Sequence, residues 1–176
     1  MNTQIGRLLF SAIMVIAAAL CIAQPDPQAK LKAVVKKYVE MKGDPTPGVA
    51  VEIAEFVDRE KTYVALAETE IINALKKAGI VVLAEGKPEY IIYGAVESNW
   101  SGRTQAYGTD AFVYEAAITL KVIDTRQGTV VDTASAQVRK INPSPEKAAR
   151  EAMVEAGNSA GKKVANVLKA AAKTVE

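Results

Sequence analysis

Residues 111–140 read AFVYEAAITLKVIDTRQGTVVDTASAQVRK, and the class of the fold can be inferred from them. Apolar side chains alternate with polar ones over residues 111–123, which is typical of a strand with one buried face. Residues 124–128 have a turn composition, and Gly128 can take the positive φ that a tight turn requires. Because residues 129–140 have strand character again, the stretch predicts an antiparallel hairpin of two long strands.

The segments before this hairpin predict one helix and further strands. Residues 49–56 and 89–100 have strand alternation, and residues 63–78 carry an apolar stripe at helical spacing that ends at Gly79. Residues 80–84 form a short, wholly apolar run, as expected of a strand covered on both faces. A strand, a helix and a strand at this spacing predict a βαβ unit with a parallel pair.

Both ends of the domain are predicted to be helical. Residues 26–27 and residues 144–145 each place an N-cap residue before a proline, which is a signal for the start of a helix. Gly157 and Gly161 fall inside the second helix, where each costs about 1 kcal/mol relative to Ala. We therefore expect this helix to lie very close to the sheet or to kink there.

Together these segments predict a single α+β domain with the order α-β-α-β-β-β-β-α. The expected architecture is a mixed sheet of four to five strands with helices packed on one face. We divide the chain into a signal peptide at residues 1–23, an N-terminal helix and Pro-rich link at residues 24–47, and the α+β domain at residues 48–176.

The N-terminus has the pattern of an export signal. Arg7 supplies a positive charge, residues 8–20 form an uncharged and mostly apolar run, and small residues precede Gln24. This pattern predicts a periplasmic or secreted protein of the cell envelope. Two alternatives stay open: the apolar run is kept as an N-terminal anchor, or Cys21 is lipidated and the protein is an outer-membrane lipoprotein.

Composition excludes several kinds of chemistry. Cys21 is the only cysteine and the chain has no histidine, so residues 24–176 contain neither. A Ser-His or Cys-His nucleophile, a disulfide framework and a zinc site of the usual type therefore cannot be built from them. Glu68 and Glu70 near a helix start are best explained as partners of the helix dipole. We predict no enzymatic activity, no cofactor and no bound metal.

The charge balance argues against nucleic acid as a partner. There are 22 Lys and Arg against 20 Asp and Glu, which gives a formal net charge of +2. Phosphate neutralisation needs clustered basic residues. The N-terminal helix does carry five lysines around its apolar stripe, namely Lys30, Lys32, Lys36, Lys37 and Lys42. Such a helix either touches an anionic membrane surface or packs on the domain with its lysines in water.

The candidate binding site is the segment SNWSGRTQAYGTD at residues 98–110. It is polar and contains glycine, which predicts a loop between two strands. Trp100, Arg103 and Tyr107 belong to residue types that are enriched where interfaces carry their binding energy. We predict that these three bind a partner, with two alternatives: Trp100 packs back over the sheet edge, or it helps to bind a small ligand.

Two stretches resemble a known bacterial envelope domain. Residues 88–94, PEYIIYG, resemble its ADYII-x-G strand, and residues 118–131, ITLKVIDTRQGTVV, resemble its L-x-V-ID-x-x-TG-x-VV hairpin. The domain is shared by flagellar assembly protein T, the curli secretion channel, the penicillin-binding-protein activator lipoproteins and the N-terminal domain of the Tol translocation protein. The resemblance covers residues 48–173 and implies an envelope scaffold without a catalytic motif.

We therefore expect a non-enzymatic, exported scaffold or assembly protein that binds envelope proteins or associates with itself. The alternative is a periplasmic module that binds a glycan or small molecule through Tyr93 and Trp100.

Overall fold

The structure is a computed structural model that describes residues 27–106 and 108–173. The predicted signal peptide lies outside the described residues. The elements are α1 (Pro27–Val39), β1 (Thr46–Val57), β2 (Glu60–Lys61), α2 (Leu66–Lys77), β3 (Pro88–Ala106), β4 (Thr109–Asp124), β5 (Thr129–Asn142) and α3 (Pro145–Lys173). The chain divides into two compact units after Ala33, so the second half of α1 belongs to the same unit as the sheet.

The five strands form one mixed sheet in the order β2-β1-β3-β4-β5. β1 runs parallel to β3, and all other neighbours are antiparallel. This confirms the predicted α+β class and its mixed sheet. The predicted hairpin is also confirmed, because Asp124 pairs with Thr129 and Gly128 has φ 67°.

The strand predicted at residues 80–84 is wrong. Only Val82 pairs with β1, through an isolated parallel bridge to Val49. Ile80 and Val82 pack against the core while Val81 is exposed, so the apolar run is buried on one side instead of both. The parallel partner of β1 is β3, and α2 lies between them in the chain.

The core lies between one face of the sheet and helices α2 and α3. Its members alternate along the strands and recur at helical spacing; they include Ile71, Leu75, Ile92, Val96, Ile118, Leu120 and Met153. The predicted close approach at Gly157 is to α2 and not to the sheet. A Cβ at Gly157 would lie 2.6 Å from the carbonyl oxygen of Ala67, and one at Gly161 would lie 2.9 Å from the Cα of Ile71.

The other face of the sheet meets the second half of α1. Strand alternation places Glu52 and the fully buried Ile91 and Ile123 on this face, opposite to α2 and α3. The Tyr38 hydroxyl donates to the carboxylate of Glu52 at 2.8 Å. The predicted packing of helices on one face therefore holds for α2 and α3, whereas the second half of α1 contacts the opposite face.

Candidate partner-binding site

The segment at residues 98–110 lies in paired strands and not in the predicted loop. It belongs to the ribbon of β3 and β4 that extends beyond the end of β1, and β5 pairs with β4 along this ribbon as far as Phe112. β1 pairs with β3 only as far as Ser98, whereas β3 and β4 stay paired to Ala106 and Thr109. Across the ribbon, the Gln105 amide donates to the Asp110 carboxylate. Cross-strand pairs of this kind stabilise a ribbon, so its polar composition does not require a loop.

Asp58 anchors the base of this ribbon. It follows β1 in a tight turn with Arg59, and the two residues have φ of 49° and 71°. One carboxylate oxygen of Asp58 accepts the main-chain N–H of Trp100 at 2.8 Å, and the other accepts the Tyr114 hydroxyl at 2.9 Å. The Asp58 carboxylate therefore joins the end of β1 to β3 and β4.

Trp100 stands at the irregular point of the ribbon. The pairing of β3 with β4 shifts between Trp100 and Gly102, which is the position of a β-bulge. The Trp100 side chain remains 54% exposed. A large aromatic side chain is thus held at the surface by a hydrogen-bonded main chain, which lowers the entropy lost when a partner covers it.

Arg103 lies beyond the bulge and has an aromatic neighbour of its own. It pairs with Phe112 on β4, and its guanidinium lies 4.9 Å from the centre of the Phe112 ring. This cation–π contact orients an exposed cation. Tyr107, the third predicted residue, lies outside the described residues. The structure therefore places Trp100 and Arg103 on one strand and leaves the role of Tyr107 a prediction.

A shallow depression of ≈ 330 Å³ opens beside Trp100. Its lining combines carboxylates, amides and small side chains: Glu97, Asn99, Trp100, Ser101, Glu115, Ala117 and Gln137. Arg139 approaches Glu115 at 4.0 Å. Tyr93, which we had grouped with Trp100, is not part of the lining; it pairs with Glu52 on β1. Burial raises the pKa of Tyr93, and the charge of Glu52 adds to this effect.

The basic helix α1 is tied to the sheet near its C-terminus. Lys37 Nζ lies 2.7 Å from a carboxylate oxygen of Glu52. This hydrogen bond, followed by the one to Tyr38, raises the pKa of Lys37. Because Lys37 pairs with Glu52 on the sheet, the second half of α1 is packed on the domain, which was one of the two alternatives for this helix. Contact of the helix with an anionic membrane stays a prediction.

Glu55 is an important residue that the sequence analysis missed. Its side chain lies on the core face of β1, and the residue is 4% exposed. Its two carboxylate oxygens accept the N–H groups of Leu66 and Glu68 at 3.0 and 2.9 Å, at the first turn of α2. The N-cap residue Ala65 makes no side-chain hydrogen bond, so Glu55 supplies the missing cap from a neighbouring strand.

Burial raises the pKa of Glu55, while hydrogen bonds from the main chain at Glu68, Leu66 and Ala67 oppose the shift. A carboxylate engaged on both oxygens is a structural cap and not a free general base. The sequence carries one indication that Glu55 is buried: by strand alternation it shares a face with the apolar Val51 and Ile53.

Glu68 also has a structural role. One of its carboxylate oxygens accepts the main-chain N–H of Ile53 at 3.3 Å. Glu70 accepts the side-chain amide of Asn73 at 3.5 Å. The two carboxylates therefore have separate partners, and Glu68 acts both in the first turn of α2 and at the outer edge of β1.

Within residues 27–106 and 108–173, no three His, Cys, Asp or Glu side chains are grouped so that they could hold a metal ion. No helix in the same part of the chain is long and apolar enough to cross a membrane.

Similarity to known proteins is found in the fold. No protein-family model matches the sequence, and no curated protein matches it significantly. A minor lipoprotein from Acinetobacter baumannii matches with a TM-score of 0.51 at 8% identity, over 68% of this chain and 93% of that one. The chain thus shares the fold of this protein, while membership of the four envelope families stays a prediction.

Two other solved structures match with lower TM-scores. A protein from Xanthomonas campestris gives 0.49 at 13% identity, over 77% of this chain and 96% of that one. A PelC dodecamer from Paraburkholderia phytofirmans gives 0.42 at 23% identity, over 70% of this chain and 91% of that one.

Proposed function

We propose that the protein is an exported, non-enzymatic component of the bacterial cell envelope that binds partner proteins through the ribbon of β3 and β4 and also associates with itself. The observation that carries the proposal is Trp100, a large aromatic side chain that is 54% exposed on a main chain fixed by Asp58. Exposed tryptophan on a rigid support is a feature of surfaces that bind proteins tightly. The lack of His and Cys in residues 24–176 supports a role in binding.

Export is the second part of the proposal. The pattern of residues 1–23 and the fold shared with a bacterial lipoprotein support it. The mass of the protein recovered from the soluble periplasm and from the membrane fractions distinguishes the three forms of the N-terminus. Cleavage gives a chain that begins at Gln24, an anchor leaves the full chain in the membrane, and lipidation adds a lipid to Cys21.

Binding is tested by photo-crosslinking in the native host. A photoreactive amino acid replaces Trp100 or, in a matched control, Tyr63, an aromatic residue that is 92% exposed away from the ribbon. We expect discrete crosslinked products from position 100 and none from position 63. Trp100→Ala should also remove the partner from material captured with the tagged protein, whereas Tyr63→Ala should retain it. Equal crosslinking at both positions would refute the proposed surface.

The depression beside Trp100 favours a second candidate function, the binding of a glycan or small polar molecule. Its amides and carboxylates, from Asn99, Gln137, Glu97 and Glu115, could bond hydroxyl groups while the indole contacts a sugar face. Trp100 is the only tryptophan, so its fluorescence reports this site alone. Titration with soluble cell-wall fragments should shift the emission, and Asn99→Ala should weaken the response. A flat titration excludes these fragments as ligands.

A further inference from the structure

β5 presents an open edge of the sheet. It is 14 residues long and pairs only with β4 within the described part of the chain. The opposite edge is better protected, because β2 pairs with β1, Val82 bridges to it and Glu68 accepts the N–H of Ile53. A long edge strand with unpaired N–H and C=O groups is a template for a further strand.

The main-chain groups that β5 directs outward can be assigned. Gly128 N–H donates to the Asp124 carbonyl at 2.8 Å, so Asp124 faces β5. Alternation along β4 then directs the even-numbered residues 134, 136 and 138 of β5 toward β4. Consistently, the Ser135 carbonyl accepts Lys163 Nζ from the other side. Residues 133, 135, 137 and 139 therefore direct their N–H and C=O groups outward.

The sequence of β5 is complementary to itself when reversed. If Ala136 lies opposite its own counterpart in a second copy, Asp132 lies opposite the Lys140 of that copy, and Ser135 lies opposite its Gln137. The apolar ends meet as well, because Val130 and Val131 are 47% and 48% exposed at one end and Ile141 is 38% exposed at the other. Opposite charges and apolar pairs across strands both favour this register.

We propose that β5 pairs antiparallel with β5 of a second copy and forms a two-fold dimer with one continuous sheet. This inference deepens the proposed function, since it specifies how copies of the chain associate. A two-fold interface uses the same residues on both copies and closes on itself. In the dimer the Ser135 carbonyl bonds the second copy, so Lys163 competes with that copy for the same oxygen. In the monomer, Lys163 thus partly blocks the open edge of β5.

The test is sedimentation equilibrium of the purified, processed protein, with Ser135→Pro compared with Ser135→Ala. Proline removes an outward N–H and is tolerated on an edge strand, whereas alanine retains that N–H. We expect a concentration-dependent dimer whose dissociation constant rises about tenfold or more in Ser135→Pro, because each copy loses a hydrogen bond to the other. Ser135→Ala should leave the constant unchanged, and urea unfolding should show that both variants are folded.

A second variant tests the role of Lys163. Lys163→Ala frees the Ser135 carbonyl, so we expect a several-fold tighter dimer. A looser dimer in Lys163→Ala, or a dimer that Ser135→Pro leaves intact, would overturn the proposal. A protein that stays monomeric at every concentration would also overturn the proposal. This includes a protein whose β5 amides become protected from hydrogen exchange only when a different envelope protein is added.

The two proposals fail separately. A monomer that still gives crosslinks from position 100 refutes the β5 dimer and leaves partner binding by the ribbon intact. A β5 dimer without crosslinks from position 100 refutes the ribbon and leaves the dimer intact.

Discussion

The Tyr114 hydroxyl donates to the Asp58 carboxylate at 2.9 Å, and this bond fixes the turn after β1 to the base of the ribbon. The same carboxylate accepts the N–H of Trp100. The position of the exposed indole therefore depends on a residue that is distant from it in sequence. A surface that binds through Trp100 should be sensitive to Tyr114 even though Tyr114 is itself buried.

Tyr114→Phe should destabilise the protein by about 1–2 kcal/mol, because the ring stays in place while one hydrogen bond to a charged acceptor is lost. Urea unfolding followed by Trp100 fluorescence measures this loss. Tyr63→Phe is the matched control, since the Tyr63 side chain is almost fully exposed, and it should leave the unfolding midpoint unchanged. Identical midpoints for the two variants would show that the bond to Asp58 does not hold the ribbon.

Tyr114 should also make the free energy of unfolding fall at alkaline pH. Burial raises the pKa of Tyr114 above its ordinary value of 10.0, and the hydrogen bond to Asp58 adds to the shift. As the pH rises above 10.0, the unfolded chain loses this proton first, so stability falls until the folded pKa is passed. Tyr114→Phe should lose less stability than the wild type in this range. If the free energies of unfolding of the two proteins fell equally with pH above pH 10, this expectation would be contradicted.

Glu55 should produce a pH dependence in the acidic range. Since its pKa is raised above 4.5, chiefly by burial, its contribution to stability is complete below that value and is lost as the pH rises through the folded pKa. The wild type should therefore gain stability relative to Glu55→Gln as the pH is lowered from neutral toward 4.5. Urea midpoints of both proteins measured across this range provide the test, and a constant difference would show that Glu55 does not titrate there.

Gly157→Ala should destabilise the protein although alanine favours helices. A Cβ at this position would lie 2.6 Å from the Ala67 carbonyl oxygen, so α3 must move away from α2. Such overpacking costs about 1–3 kcal/mol, which exceeds the gain of about 1 kcal/mol in helix propensity. Asn166→Ala, on the exposed side of the same helix, should be neutral or slightly stabilising. A stabilised Gly157→Ala would mean that the two helices are not in close contact.

The hairpin of β4 and β5 could be predicted because its signals are local. Alternation with period two and a glycine in the turn define both strands, and the residues from Asp124 to Thr129 close it as expected. The start of α3 is similarly local, since Ser144 accepts the N–H of Lys147 at 3.4 Å. In these places local preference and the final packing agree, which is why the sequence alone suffices.

The errors came from residues whose partners are distant in the chain. The cap of α2 is Glu55 on β1, so the residues around Ala65 carry no signal for it. Asp58 follows β1 and accepts the main-chain N–H of Trp100 on the neighbouring strand β3, and no spacing rule links positions 58 and 100. The exposure of Trp100 was likewise set by the ribbon, which the polar composition had suggested to be a loop.

Glu52 links α1 to the sheet, and its removal should expose that helix to proteolysis. It accepts both the Lys37 ammonium at 2.7 Å and the Tyr38 hydroxyl at 2.8 Å. In Glu52→Ala both donors lose their acceptor, so the second half of α1 should detach more often and trypsin should cleave after Lys36 or Lys37 faster than in the wild type. Glu40→Ala removes only the exposed partner of Lys36, 3.8 Å away, and should leave the cleavage rate nearly unchanged. Equal rates in the two variants would show that α1 is held mainly by its apolar contacts, such as those of Val35 and Val39 beside Gly128.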